Sequence, residues 1–321
     1  MRKELLRLAF AAFVVAGVAP HAHADTFPSK PFRFIVPFPA GGATDAAARA
    51  MQPQLEKLLG QTVVIENRAG AGAVIGLDVI AKSAPDGYTI MFGFNQLVTT
   101  LPHLYAKLPY DPNKDLAPVI VLAYGPYVWL ANNNAPFNNI AELVAYAKAN
   151  PGKVAYGSIG AGTATHLGGE LLAQQAGIEL LHVPYKGRAT SDLMAGQIQL
   201  ALEPNGSAVP FVKDGRVKAI AVASAKRLPA LPNVPTVGET LPGYEVSGWQ
   251  AIWLPGGASK EMVERLNTEF AKVIREPAFN KRLLELSYIP VANTPAEMSE
   301  MIRQETLKWG ALIKAKNIHL D

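Results

Sequence analysis

The sequence predicts an α/β protein of two domains, on three observations. Short apolar, β-favouring segments alternate with helical ones almost throughout, the pattern of strands joined by crossover helices in mostly parallel sheets. The roughly 300 residues that follow an N-terminal leader exceed what one hydrophobic core comfortably serves. Two glycine-rich loops, each set between a strand and a helix, lie far apart in the chain. Such loops bring helix N-termini, with their free N–H groups, to the carboxyl ends of strands, where α/β proteins bind ligands.

The leader comes first. Met1-Arg-Lys-Glu-Leu-Leu-Arg7 is basic, residues 8–18 are apolar, and Ala22-His23-Ala24 is a small-x-small site. This is the pattern of a secretory signal peptide, residues 1–24, cleaved after Ala24. A membrane anchor would need an apolar run of roughly 20 residues, and this one is far shorter. The chain contains no cysteine, which excludes a lipidated cysteine at the cleavage site and any disulfide framework. The expected mature protein is exported and soluble. Loss of Arg2, Lys3, Arg7 and Glu4 with the leader lowers the formal net charge from +4 to +2. A near-neutral chain without a clustered basic face argues against nucleic acid as a partner.

The elements follow in order. Phe32–Val36 is an apolar strand stopped by Pro37 and Pro39, which cannot donate to a ladder. Gly41-Gly42 lets the backbone bend, and Thr44 or Asp45 is the expected N-cap of the alanine-rich helix AAARAMQPQLEKLL. Pro53 should kink that helix unless it restarts there. Residues 62–66 read as a strand, 72–82 as a helix, and 88–93 as a strand after the turn Ala84-Pro-Asp-Gly87. Residues 119–123 and 127–131 read as two strands separated by Gly125-Pro126. A helix over 138–149 ends at Asn150-Pro-Gly152. Val154–Ser158, Leu180–Pro184, 197–202 and 217–223 continue the strands, while 259–275 and Pro295–Lys316 read as long amphipathic helices. The proline-rich stretch 228–235 is a stiff crossing rather than a floppy linker. With one crossing near 122–127 and the return near 223–228, the first domain comprises residues 25–124 and 226–321, and residues 125–225 form a second domain inserted in it.

The first loop supplies the candidates Phe38, Pro39, Ala40, Gly41, Gly42 and Asp45; strand, glycine turn and helix N-terminus together suit an anion. The second loop, Val154-Ala-Tyr-Gly-Ser-Ile-Gly-Ala-Gly-Thr-Ala-Thr-His166, supplies Ser158, Gly160, Thr163 and His166. It lacks the G-x-G-x-x-G order of a dinucleotide site, and no Gly-Lys-Ser/Thr follows for a Walker loop. Tyr156 stands where a nucleophile elbow needs its first glycine, and His103, His166, His182 and His319 show no metal-helix spacing. No cofactor and no metal are therefore expected. His166 either caps its loop or touches a ligand. Tyr185 and Lys186 follow a strand's carboxyl end, although a solvated lysine is the more common fate. Glu203 and Asn205 end another strand; a carboxylate there favours a cationic or hydroxyl group on the ligand, and Asn205 can equally serve a turn. Trp249 and Trp253 read as core rather than as a stacking platform.

The ordered motifs resemble a known family, the Bug-type receptors of tripartite tricarboxylate transport systems. They run over nearly the whole mature chain: Lys30-Pro-Phe-Arg-Phe-Ile-Val-Pro-Phe-Pro-Ala-Gly-Gly-Ala-Thr-Asp45, Val64-Ile-Glu-Asn-Arg-Ala-Gly-Ala-Gly72, Leu108-Pro-Tyr-Asp-Pro-Asn-Lys-Asp115, Tyr156-Gly-Ser-Ile-Gly-Ala-Gly-Thr163, His182-Val-Pro-Tyr-Lys-Gly187 and Pro229-Ala-Leu-Pro-Asn-Val-Pro-Thr236. The resemblance implies a two-lobed periplasmic binding protein, a type II-like clamshell of mixed sheets flanked by helices. It implies a small mono- or dicarboxylate, aromatic ones included, bound between the lobes by loop backbones and bridging waters rather than by an arginine fork. It also implies a monomer that serves membrane transporter subunits. Glu203-Pro204 departs from the aspartate that the family pattern suggests near that position. Two other classes stay open at the level of sequence: a sensor subunit for a membrane signalling protein, and an exported α/β enzyme acting on a small acid, which lacks a nucleophile–base pair in its sequence pattern.

Overall fold

The computed structural model describes residues 27–320, so the expected signal peptide and its cleavage site lie outside the described residues. In chain order the elements are β1 (Phe32–Val36), α1 (Ala43–Leu59), β2 (Val63–Asn67), α2 (Val74–Ala81), β3 (Thr89–Phe94), α3 (Gln96–Thr99), α4 (Leu101–Leu104), α5 (Pro112–Asp115), β4 (Leu116–Ala131) and α6 (Ile140–Ala149). Then come β5 (Val154–Ser158), α7 (Ala164–Ala176), β6 (Leu180–Pro184), α8 (Thr190–Met194), β7 (Leu200–Pro204), α9 (Asn205–Lys213), β8 (Lys218–Val222), β9 (Ser247–Pro255), α10 (Lys260–Arg275), α11 (Pro277–Glu285), β10 (Ile289–Pro290) and α12 (Pro295–Lys316).

The strands join into one 10-stranded sheet in the order β2-β1-β3-β9-β4-β7-β5-β6, with β8 and β10 also on β4. Strand β4 connects its two halves. From Leu116 to Pro126 it pairs with β9, and from Tyr127 to Ala131 with β7 and β8. The sequence reading placed a break at Gly125-Pro126; the structure has none. Pro126 is tolerated because it sits where β4 exchanges one partner for the next, opposite the first residue of β9, so the missing N–H interrupts no continuous ladder. The expectation of mostly parallel pairing also fails. β1–β2, β1–β3, β5–β6 and β5–β7 are parallel, but each pairing of β4 and β9 is antiparallel. These two strands carry the chain between the halves and are not reached through a full crossover helix.

The helix α1 runs 17 residues through Pro53 without restarting. Ala47, Ala48, Met51 and Leu55 are buried along one face against β1 and α10, and that packing outweighs the helix bond that proline removes. It ends at Gly60, whose left-handed backbone (φ 64°) closes the last turn onto the carbonyl of Glu56.

Two main cores flank β4. One gathers Phe34, Met51, Phe92, Ile252, Phe270 and Phe279. The other gathers Trp129, Tyr156, Leu172 and Leu202, and also Val237, Tyr244 and Val246, so the segment before β9 packs with this second core. Helix α12 spans both halves. Met298 lies with Leu97 and Trp249, whereas Trp309, Leu312 and Ile313 enter the core of Trp129, and Lys316 pairs with Glu170 of α7 at 3.1 Å. Trp249 and Trp253 are core residues stacked at 6.0 Å. Among the described residues no helix is long and apolar enough to cross a membrane.

Candidate functional site

The first loop is built by its own hydrogen bonds. Helix α1 starts at Ala43 with Gly42 as its N-cap, so neither Thr44 nor Asp45 holds that position, and no side chain caps the helix. Asp45 instead turns back from the third helical position. Its Oδ2 accepts the Gly41 N–H at 2.9 Å and Arg49 Nε at 2.9 Å, while Oδ1 accepts Asn67 Nδ2 at 3.0 Å. Asn67 also donates to the Phe38 carbonyl. Burial alone would raise the Asp45 pKa, but the bonds from Arg49, Gly41 and Asn67 outweigh it and hold the carboxyl below its ordinary value. Gly41 takes the φ of +79° that this turn requires, and Pro39 to Gly42 are exposed. Asp45 is thereby occupied in shaping the loop.

The second loop is closed on itself. Thr163 caps α7 by accepting the His166 N–H, and its Oγ1 donates to the Gly160 carbonyl at 2.6 Å. His166 Nδ1 accepts the Gly162 N–H at 3.0 Å, so His166, 8 % exposed, orders the loop. Its ring stacks on His182 at 3.9 Å between centroids. Ser158 Oγ meets His182 Nε2 at 2.7 Å and exchanges bonds with Gly160. Burial, then the neighbouring His166, push the His182 pKa down to about 4, while Glu170 opposes the shift. The Ser158–His182 contact has the length of a nucleophile–base pair, yet Ser158 is 1 % exposed. Tyr185 donates its hydroxyl to Asp192 Oδ2 at 2.8 Å, and burial followed by Asp192 pushes its pKa up to about 12.

The open space lies between the two halves: a cavity of about 690 Å³. Phe38 reaches it from the β1–α1 loop, beside Phe94 and Gln96. From the other half come Glu203, Pro204 and Asn205 at the end of β7, Gly206 and Ser207 in the first turn of α9, and Ile159, Lys186, Gly187 and Arg188. The middle is lined by Gly125, Tyr127 and Gly248 at the crossing strands, with Leu286 and Tyr288 from the β10 side. Of the residues singled out from the sequence, the cavity brings together Phe38, Lys186, Glu203, Pro204 and Asn205. Pro39, Ala40, Gly41, Gly42 and Asp45 do not line it; they follow Phe38 in the loop and the first turn of α1. Ser158, Gly160, Thr163, His166 and Tyr185 do not line it; they adjoin Ile159 and Lys186 in the chain and shape the loops that bear them. Asn205 Nδ2 donates to the Ser287 carbonyl at 2.7 Å, which ties α9 to the segment carrying Tyr288.

The lining mixes aromatic faces with few polar groups. Phe38 and Phe94 meet edge to face at 5.6 Å. Tyr288 Oη accepts Gln250 Nε2 at 3.0 Å, and burial pushes its pKa up to about 12. Burial raises the Tyr127 pKa as well, so both phenols stay neutral. Glu203, 1 % exposed, accepts the Ala189 N–H at Oε1 (3.1 Å) and a long 3.5 Å contact from Ser207 Oγ at Oε2. Burial raises its pKa, partly offset by Ala189, Arg188 and Ser207. Lys186 and Arg188 stand exposed on the rim. Tyr127, Arg188, Ser207 and Tyr288 carried no signal in the sequence reading. The first lies at the crossing that was read as a break, and the others are brought in by loops and by a distant part of the chain.

Comparison with known proteins decides the family. The profile described as tripartite tricarboxylate transporter family receptor matches residues 47–318. The chain belongs to this family. It is 40 % identical over 293 residues, 90 % of this chain and 87 % of the relative, to a UPF0065 protein from the tcbD-tcbE intergenic region of Pseudomonas sp. strain P51. It is 34 % identical over 303 residues, 93 % of both chains, to the protein BugT of Bordetella pertussis. Among solved structures it is similar to an R. palustris protein with adipate, at 33 % identity and a TM-score of 0.76 over 91 % of this chain and 99 % of that one. It is also similar to MatC of Rhodopseudomonas palustris with bound malate, at 30 % identity and a TM-score of 0.72 over 89 % and 100 %. The chain is thus a Bug-type receptor of the two-lobed periplasmic binding protein fold, a family of periplasmic solute-binding proteins.

Proposed function

We propose that the protein captures one small organic carboxylate in the periplasm and delivers it to a tripartite tricarboxylate-type membrane transporter, without chemical turnover. The observation that carries this reading is the 690 Å³ cavity lined from both halves, with an aromatic interior and two rim cations. Such a space takes a compact organic body, and the uncapped N-terminus of α1 behind Phe38 favours a carboxylate at that end. Relatives solved with adipate and with malate support a carboxylate. Ser158 and His182, the pair closest to hydrolytic geometry, do not line the cavity, and Ser158 is buried.

Export follows from the leader, with cleavage after Ala24. The lobes meet at β4, and the change of partners at Pro126/Tyr127 supports a first crossing beside residue 125. Val237, Tyr244 and Val246 favour a return at the start of β9, some way beyond the 225/226 division taken from the sequence. A thermal-shift screen of small organic acids, aromatic ones included, tests the function. A carboxylate at about one hundred times its Kd should stabilise the fold by about 2.7 kcal/mol. A screen in which only sugars or cations raised the melting temperature would overturn the reading.

A further inference from the structure

Resting on the carboxylate reading, we infer that the ligand presents a neutral or cationic hydrogen-bond donor, not a second carboxylate, to Glu203, so that this receptor selects hydroxy- or amino-substituted monocarboxylates over dicarboxylates of the same length. Glu203 lines the cavity from the half of the molecule opposite Phe38. Its side chain is almost wholly removed from bulk water, yet its hydrogen-bonding capacity is far from filled. A carboxylate offers about four lone-pair directions. Here one is taken by the Ala189 N–H at 3.1 Å, and the Ser207 hydroxyl reaches a second only at 3.5 Å. A buried carboxylate with acceptor capacity to spare, facing a cavity, calls for a donor in that cavity.

The same carboxylate decides where a ligand's own anion goes. Helix α9 begins at Asn205 with no side-chain cap, and its first turn would otherwise be the natural seat for an anion on this side. Glu203 lies just before that turn and contacts Ser207 within it, so the chain supplies its own negative charge there. A ligand carboxylate brought beside it would meet a like charge in a partly dry site. Of the two rim cations, Arg188 is the one that acts on Glu203, and Lys186 is left exposed to solvent, so a second negative charge beside Glu203 has no dedicated partner. At the other end, the β1–α1 loop has no such obstacle. The only carboxylate within it, Asp45, is already bound by Arg49, Asn67 and the Gly41 N–H. Between the ends, Phe38, Phe94, Tyr127 and Tyr288 provide an apolar corridor for the body of the molecule. Each end of the cavity therefore accepts a different group.

Titration calorimetry at pH 7.5 with two matched triplets tests this. One triplet is hexanoate, 6-hydroxyhexanoate and adipate; the other is benzoate, 4-hydroxybenzoate and terephthalate. In the wild-type protein, in every triplet that binds, the hydroxy acid should bind at least ten-fold tighter than its dicarboxylate. In Glu203→Gln, which keeps the shape and an acceptor but adds a donor and removes the charge, the dicarboxylate should gain at least ten-fold on the hydroxy acid. Wild-type protein that binds a dicarboxylate as tightly as the matching hydroxy acid overturns the inference and leaves the carboxylate reading intact. Failure of both proteins to bind any of the six acids, with the fold verified by circular dichroism and no other organic acid raising the melting temperature, overturns both. The wild-type comparison decides the matter even if Glu203→Gln does not fold.

Discussion

At the scale of single residues, the polar side chains near the cavity divide into those that hold loops and those left free to meet a ligand. Asp45, Thr163 and His166 belong to the first group: Thr163 and His166 each accept a backbone N–H of their own loop, and Asp45 accepts the Gly41 N–H together with the Arg49 and Asn67 side chains. His182 is the residue whose ionisation reports on this ordering. Its folded pKa of about 4 lies below the ordinary histidine value of 6.5, because burial and the stacked His166 disfavour a charge. The other charged or titratable groups packed around it are Glu170, Tyr156 and, through Glu170, Lys316. Between the two pKa values the unfolded chain binds the proton and the folded protein does not, so stability is full above pH 6.5 and declines as the pH falls towards 4. Denaturant midpoints measured from pH 7.5 to 4.5 should drop for the wild type and drop less for His182→Gln. Equal slopes would show that the pair does not carry this titration.

At the scale of elements, two pieces of secondary structure cross between the halves: the strand β4 and the helix α12. The helix is fixed at its start by a capping box, Thr294 with Glu297, and inside the molecule by Glu305, whose carboxylate accepts from Asn95 Nδ2 at 2.8 Å and Trp249 Nε1 at 2.7 Å. Near its far end, Trp309 is 3 % exposed among the residues of the second core. The close approach continues at Gly310, where a Cβ would lie 2.7 Å from the His103 ring. Trp309→Ala should cost about 3–5 kcal/mol, the range for truncating a large buried aromatic. Urea denaturation followed by circular dichroism measures this. A loss under about 1 kcal/mol would mean that α12 contributes little to the second half.

At the scale of the whole molecule, the cavity lies between halves joined by few chain passages, the arrangement in which a ligand closes a cleft. A molecule bound by Phe38 on one side and Glu203 on the other gains its second set of contacts only when the two approach, so it favours the closed state by differential affinity. Bending would centre where β4 changes partners after Pro126 and where β9 begins at Ser247. Solution scattering with saturating ligand should give a smaller radius of gyration than without. An unchanged radius would place recognition in a preformed, rigid cleft. Helix α12 is the element that resists the motion, because its two ends are buried in different cores.

The alternation of strands and helices, both glycine loops and the family to which the chain belongs are legible in the amino-acid order alone. These depend on local pattern: apolar runs, prolines that stop strands, glycines where positive φ is required. The same order also marked Phe38, Glu203 and Asn205, since each lies at or just past a strand's carboxyl end. Only the tertiary structure decided the rest. Continuity of β4 through Gly125-Pro126 depends on partners far away in the chain, so the local signal of a break misled. That Ser158, Thr163 and His166 do not line the cavity depends on which hydrogen bonds the folded loops complete among themselves. Tyr127 and Tyr288 face the cavity because long-range pairing puts the crossing strand against β10. The spare acceptor capacity of Glu203 is likewise a tertiary fact. A sequence names a carboxylate, but burial and the count of its donors decide what that carboxylate still requires.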